Sequence, residues 1–363
     1  MCRWFAYISD SEACLLDDVL IRPAHSLTKQ VHSNYLPHLF VAPNATAQHT
    51  ATRAGDAAER ANIASHNKFV NSDGTGVVFY TSSQADYGEA DGLRPQQYRT
   101  TQPPLNDPNF TSLCTHSAST CVFAHIRMAT SVVQPFNNHP FVFGRHSFMH
   151  NGGIASFPGA VRLGMVTLMS QKAHEAVLGS TDSEHLAGLY MTFLAPNDDW
   201  EKTYPLTEMR AALEKAIQAT IDIQKKAGVT DANSLNCCAT DGTQLVAVRF
   251  RNVDGDDQPP SLYVSTVAGP TLSRKYEGHP DDVNGVHAIT QTAVHPEGLH
   301  AGKEGPKGCL IPDKPAEHHG KHVIVASEPT TFNQDEWDLV KKNELVLVGP
   351  DMSVTREPVN VKF

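Results

Sequence analysis

The chain has 363 residues and no apolar run of about 18 residues, so no segment is expected to span a membrane. It opens without a basic stretch leading into an apolar core, so no secretory signal is visible. Basic residues are outnumbered: 29 Lys and Arg stand against 39 Asp and Glu, a net charge of −10, and no Lys/Arg cluster interrupts that excess. A nucleic-acid surface is therefore not expected. There is neither a Cys-x-x-Cys pair nor a His-Glu-x-x-His helix, so the 19 histidines come without metal-site spacing. No metal and no other cofactor is expected; His318, His319 and His322 read as solvated residues of a polar loop. The seven cysteines (2, 14, 114, 121, 237, 238 and 309) are odd in number and unpatterned. That suits a reduced, cytoplasmic protein.

What is present begins at residue 2. Residues 2–9 are apolar on both faces, Trp4, Ala6 and Ile8 alternating with Phe5 and Tyr7, as in an inner strand. Residues 15–21 read as a short helix stopped by Arg22-Pro23. Further strands are expected after the turn Asp73-Gly74-Thr75-Gly76, over Cys121–Ile126, over Phe141–His150, and as a hairpin around Asp241-Gly242. Others are expected over Ser261–Val267, from His322 to Ser327 and from Leu345 to Val348. Helices are expected over 159–178, behind a capping box at Thr181 with Glu184, and from a Thr207 cap to Gly228. Three stretches, 36–70, 82–118 and 268–320, lack periodicity and read as loops inserted into one domain spanning 1–363. Strands, then helices, then strands exclude a doubly wound parallel sheet and suit an α+β protein with antiparallel sheets covered by helices.

Cys2 joins two chemistries if Met1 is removed. The thiolate is a strong nucleophile. A free α-amine titrates near pH 7.7–8.0, so it can serve as a general base in the same residue. A Cys after the start codon can equally be a small apolar residue. Three further stretches follow in order: His125-Ile126-Arg127-Met128-Ala129-Thr130; Asn138-His139-Pro140 running on to His150-Asn151-Gly152-Gly153; and Ser180-Thr181-Asp182-Ser183-Glu184. Each alone has an ordinary reading. Asn151-Gly152 makes a hairpin turn, Asp182 a first-turn acid, Arg127 a surface ion pair, and His139 a loop histidine.

The ordered set resembles the class II glutamine amidotransferases, whose fold is the four-layer αββα N-terminal-nucleophile sandwich. Arg22-Pro23-Ala24-His25-Ser26 with Gln30, and Ala326-Ser327-Glu328-Pro329, resemble a stand-alone branch. That branch includes the amidotransferase-like subunit of the fungal glutathione-degrading complex and a hydrolase of ergothioneine synthesis. The resemblance covers roughly 1–35, 71–80, 121–195, 235–267 and 322–350, and assigns no role to the three insertions. It departs at Thr75, where the family often has an aromatic residue.

The resemblance implies that Cys2 attacks a γ-glutamyl carbonyl and forms a thioester, its α-amine relaying the proton to the leaving amine. Asn151 and the Gly152 N–H would form the oxyanion hole. Arg127 would clasp the substrate α-carboxylate and Asp182 its α-ammonium, with Thr130 and His139 shaping the site. The activity implied is hydrolysis of glutamine or of a γ-glutamyl peptide such as glutathione, with a metallopeptidase-like protein partner that would carry the metal. Two rivals remain: a glutaminase subunit passing ammonia to a separate synthase, and a catalytically silent binding subunit.

Overall fold

The structure is a computed structural model and describes residues 2–37, 70–272 and 319–363. The proposed insertions at 36–70 and 268–320 fall almost wholly outside these residues. Among the described residues, one sheet has seven strands. They are β1 (Arg3–Ser9), β3 (Thr75–Thr81), β4 (Arg94–Thr100), β6 (Cys121–Ile126), β11 (Tyr263–Ser265), β12 (His322–Ala326) and β13 (Asp338–Leu339), in the order β13-β11-β12-β1-β6-β3-β4. A six-stranded sheet, ordered β15-β14-β10-β9-β8-β7, holds β7 (Phe141–Phe143), β8 (His146–Gly153), β9 (Ser234–Thr240), β10 (Leu245–Arg251), β14 (Glu344–Val348) and β15 (Val354–Pro358). A ribbon pairs β2 (Cys14–Leu15) with β5 (Ala118–Ser119). Each of these sheet pairings is antiparallel.

Strand alternation builds the layers. On β1, Trp4, Ala6 and Ile8 join Val78, Phe123, Met149, Cys238 and Ala247 in the core between the sheets. Phe5 and Tyr7 point the other way, onto α1 (Leu16–Leu20) and α2 (Pro108–His116), beside Val19, Leu20 and Phe110. The outer face of the six-stranded sheet packs on α3 (Arg162–Leu168), α5 (Asp182–Leu194) and α6 (Leu206–Lys226) through Phe148, Val246 and Phe250 against Leu186, Leu189, Leu213 and Ile217. The result is a four-layer αββα sandwich, with β1 buried on both faces as its sequence predicts.

Several local expectations need correction. Residues 82–118 are not an irregular insertion: they contain β4 and α2. β4 is polar because it is an edge strand paired only with β3, so it shows no alternation, and Asp107 caps α2 ahead of Pro108. Phe141–His150 is a hairpin, not one strand. It turns at Gly144, whose φ of +57° and tight approach to Trp200 demand glycine. The helix expected over 159–178 breaks at Met169-Ser170, and Ser170 caps α4 (Gln171–Ala176). Helix α6 starts after Pro205, with no side-chain cap from Thr207. His322 is not a solvated loop residue: it opens β12, accepts the Gly269 N–H at 2.8 Å and stacks on Tyr7.

Candidate active site

The four motif stretches meet at one end of the two sheets. In the β1–β6 register Arg3 faces Ile126, so Cys2 lies one rung beyond, against the residues that follow β6. There its half-buried thiol accepts the Met128 N–H at 3.3 Å and lies 3.5 Å from the Met128 carbonyl. Cys2 shares the inward face of β1 with Trp4, whose indole N–H donates 3.1 Å to the Asn236 carbonyl. Asn236 is the β9 partner of Asn151 on β8, so Asn151 lies on the strand next to the one that Trp4 bonds. Burial pushes the Cys2 thiol up; the Met128 N–H and the charges of Arg127 and Arg3 act against that.

Arg127 is 3% exposed. Its backbone is locked to the Asp73-Gly74 turn, with Arg127 N donating to Gly74 O at 2.9 Å and Asp73 N to Arg127 O at 3.0 Å. Its guanidinium donates to Asn138 Oδ1 (3.1 Å), Ser131 Oγ (2.9 Å) and Val132 O (3.2 Å), all neutral acceptors. Burial pulls its pKa down, and the charges of Cys2, Asp73 and Asp182 act against that. Asp73 Oδ2 accepts the Ala129 N–H at 2.7 Å and so pins the loop carrying Met128.

Asp182 is the first residue of α5, whose N-cap Thr181 accepts the Glu184 N–H. The capping box is only half formed, because the Glu184 carboxylate accepts from Leu178 and Gly179 N–H instead. The half-buried Asp182 carboxylate takes backbone donors too: Ile154 N at 2.8 Å and Ser183 N at 2.9 Å. On β8, Asn151 is buried, and its Oδ1 has no donor among the described residues. Gly152 has φ +144°, and a Cβ there would lie 1.8 Å from the Ser234 carbonyl, so only glycine lets the strand close on β9.

His139 is buried, stacked on His125 at 4.1 Å and tilted against Phe141. Burial, reinforced by His125, His150 and Arg127, holds its pKa well below the ordinary histidine value. It is a neutral wall behind Asn138. Thr130, by contrast, is exposed on the loop after Arg127, and its hydroxyl makes no hydrogen bond among the described residues. The departure at Thr75 is accommodated locally: the residue is buried and its hydroxyl donates to the Gln102 carbonyl at 3.1 Å.

Five participants escaped the sequence reading. Asp73 was legible only as a turn residue, and Asn138 only as part of a motif. Ser183 donates to His150 Nδ1 at 2.8 Å, the tautomer being fixed by His150 Nε2 donating to Ser234 O at 3.2 Å. Arg3 and Glu328 form a buried ion pair at 2.6 Å next to Cys2. Among the described residues, no group of three or more His, Cys, Asp or Glu side chains is placed to hold a metal ion, and no helix is long and apolar enough to cross a membrane.

No family model matches the chain. A probable glutamine amidotransferase of Saccharomyces cerevisiae, DUG3, is 26% identical over 357 residues, which cover 96% of this chain and 82% of the yeast protein. A solved glutamine aminotransferase class-II domain protein from Silicibacter pomeroyi is similar over the whole of both chains, with a TM-score of 0.55 at 18% identity, a likeness of fold. In its ordered motifs the chain is similar to the class II glutamine amidotransferases, and its αββα layers are those of the N-terminal-nucleophile fold.

Proposed function

We propose that the protein hydrolyses a γ-glutamyl amide bond, in glutamine or in a γ-glutamyl peptide such as glutathione, through a thioester on Cys2. The observation that supports this reading is the Cys2 thiol seated on Met128, the residue after the buried Arg127, whose guanidinium is held by neutral acceptors and is not paired with the Asp182 carboxylate. A γ-glutamyl group offers an α-carboxylate for Arg127 and an α-ammonium for Asp182, and its side-chain carbonyl then falls to the thiol.

With Met1 removed, the α-amine of Cys2 takes the thiol proton as sulfur adds to the carbonyl carbon. Burial favours the neutral thiol, so this base is needed. The carbonyl oxygen becomes an oxyanion, stabilised by the Asn151 amide and the Gly152 N–H. Collapse breaks the C–N bond and the ammonium proton passes to the leaving nitrogen. Water, deprotonated by the same amine, then adds to the thioester, releasing glutamate and the thiol. Arg127 and Asp182 hold the substrate through both halves.

The likeness to DUG3 and to the fungal branch supports work as a subunit of a glutathione-degrading complex, beside a metallopeptidase-like partner. Turnover of glutamine and glutathione, measured with and without that partner, tests this. Glutathione cleavage that rises with the partner is expected. Glutamine cleavage alone, with ammonia passed to a synthase, would replace this reading with ammonia delivery. Full function of Cys2→Ala would replace it with a silent binding subunit.

A further inference from the structure

We propose that Glu328 and Arg3 are positioning residues for the nucleophile: the pair anchors the main chain of Cys2 from behind, so that thiol and α-amine face the site together. The inference rests on the reading of Cys2 as an N-terminal nucleophile. Arg3 follows Cys2 directly, and by strand alternation its side chain leaves β1 on the opposite face. It is 1% exposed and Glu328 is 0% exposed. The guanidinium bonds in at least three directions. Nε donates to Glu328 Oε1 at 2.6 Å, Nη2 to Asn34 Oδ1 at 2.8 Å, and Nη1 reaches back to the carbonyl of Cys2 itself at 3.4 Å.

Glu328 is itself fixed. Its Oε2 accepts the Tyr35 N–H at 2.7 Å and lies 3.7 Å from His25 Nε2. His25 Nδ1 donates to the Pro329 carbonyl at 2.6 Å, and Gln30 Nε2 donates to the carbonyls of His25 and Glu328. Ser327 brackets the next residue of β1: Trp4 N donates to Ser327 Oγ at 3.0 Å, and Ser327 N to Trp4 O at 2.9 Å. The two motifs that the catalytic reading leaves without a role, around His25 and around Glu328, therefore converge on the residue beside the nucleophile.

Stability does not account for this arrangement. A buried ion pair of this kind is often no better than well-packed apolar residues of similar volume. Chain termini, however, fray unless tied down, and a nucleophile in the first turn of chain cannot be allowed to. A rigid, three-way guanidinium at the second mature residue removes that freedom.

The test replaces both charges together. In the Arg3→Met/Glu328→Met protein no charge is left buried and the volume is kept. The expected result is a folded protein whose KM stays within about twofold of wild type, while kcat falls on the order of a hundredfold, the loss that a 1 Å misplacement can cause. A purely structural pair predicts that kcat recovers with the fold, so a folded double variant with wild-type kcat overturns the proposal. Should the double variant not fold, Arg3→Lys is read in its place. Lysine keeps the charge but cannot reach Glu328, Asn34 and the Cys2 carbonyl at once, so reduced kcat at unchanged KM supports the proposal and wild-type kcat overturns it. Wild type run alongside separates the two readings: if it neither hydrolyses a γ-glutamyl amide nor takes a γ-glutamyl diazoketone label at Cys2, the nucleophile reading itself has failed.

Discussion

Two pairs of opposite charges lie near Cys2, and they are handled in opposite ways. Arg3 and Glu328 close on each other at 2.6 Å, fully out of solvent. Arg127 and Asp182 do not: the guanidinium is held by two side-chain oxygens and a carbonyl, the carboxylate by backbone N–H groups. A charge satisfied by neutral partners keeps its field and is ready for a charged ligand, whereas a closed pair has cancelled its own. On the proposed function, the difference separates charges that hold the chain from charges that would hold a substrate. It also explains why Asn138 and Asp73, neither of them reactive, matter: they keep Arg127 and its loop in place without neutralising them by contact.

The largest effects should come from the reacting groups. Cys2→Ala is expected to abolish turnover. Asn151→Ala should lower kcat by about 10²–10³-fold, as for other oxyanion-hole donors, with KM little changed; steady-state kinetics on a γ-glutamyl amide reads both. The comparison itself is broken or sharpened by two arginine variants. Arg127→Ala removes hydrogen bonds to a charged group worth about 1.5–3 kcal/mol and should raise KM by about ten- to a hundredfold, with a smaller stability loss than Arg3→Ala because it leaves no unpaired buried charge. Arg3→Ala leaves Glu328 buried and unpaired and should cost about 3–5 kcal/mol in urea unfolding. Equal stability losses in the two variants would erase the distinction.

A smaller effect concerns the wall behind Arg127. Burial, then the charge of Arg127, lowers His125 to about 3, and His139 is also pushed well down. An unfolded histidine takes its proton near pH 6.5, so from there down to about pH 3 the unfolded chain binds more protons than the folded one. Stability should therefore be lost as pH falls through that window, at about 1.4 kcal/mol per pH unit for each such histidine. Urea unfolding between pH 6.5 and 4.5 should show the slope, and His125→Gln should flatten it by one histidine's share. The smallest effect expected is at Thr181→Ala, which removes the cap of α5 and should cost about 1 kcal/mol, with activity falling only as far as Asp182 shifts.

The sequence made the centre of the molecule legible and its edges not. The double burial of β1 shows in the alternation of Trp4, Ala6 and Ile8 with Phe5 and Tyr7, because an inner strand carries apolar residues on both faces. β4 and β15 are edge strands with polar sequences such as Val354-Thr355-Arg356-Glu357-Pro358, so no period marks them. Cys2, Arg127, Asn151 and Asp182 could be chosen because each sits in a short motif. Glu328 could not be matched to Arg3, since 325 residues separate them and only the antiparallel pairing of β1 with β12 brings them together. Glu184 looked like half of a capping box, and its carboxylate instead caps the loop before the helix.

The central claim is that Cys2 is the chain's reactive terminus. Intact-mass and N-terminal peptide analysis of the purified native protein, before and after a γ-glutamyl diazoketone, tests it directly. The account predicts a chain that begins at Cys2 and gains one adduct there, and no adduct in Cys2→Ala. Quantitative retention of Met1, or an adduct on another residue, would contradict it.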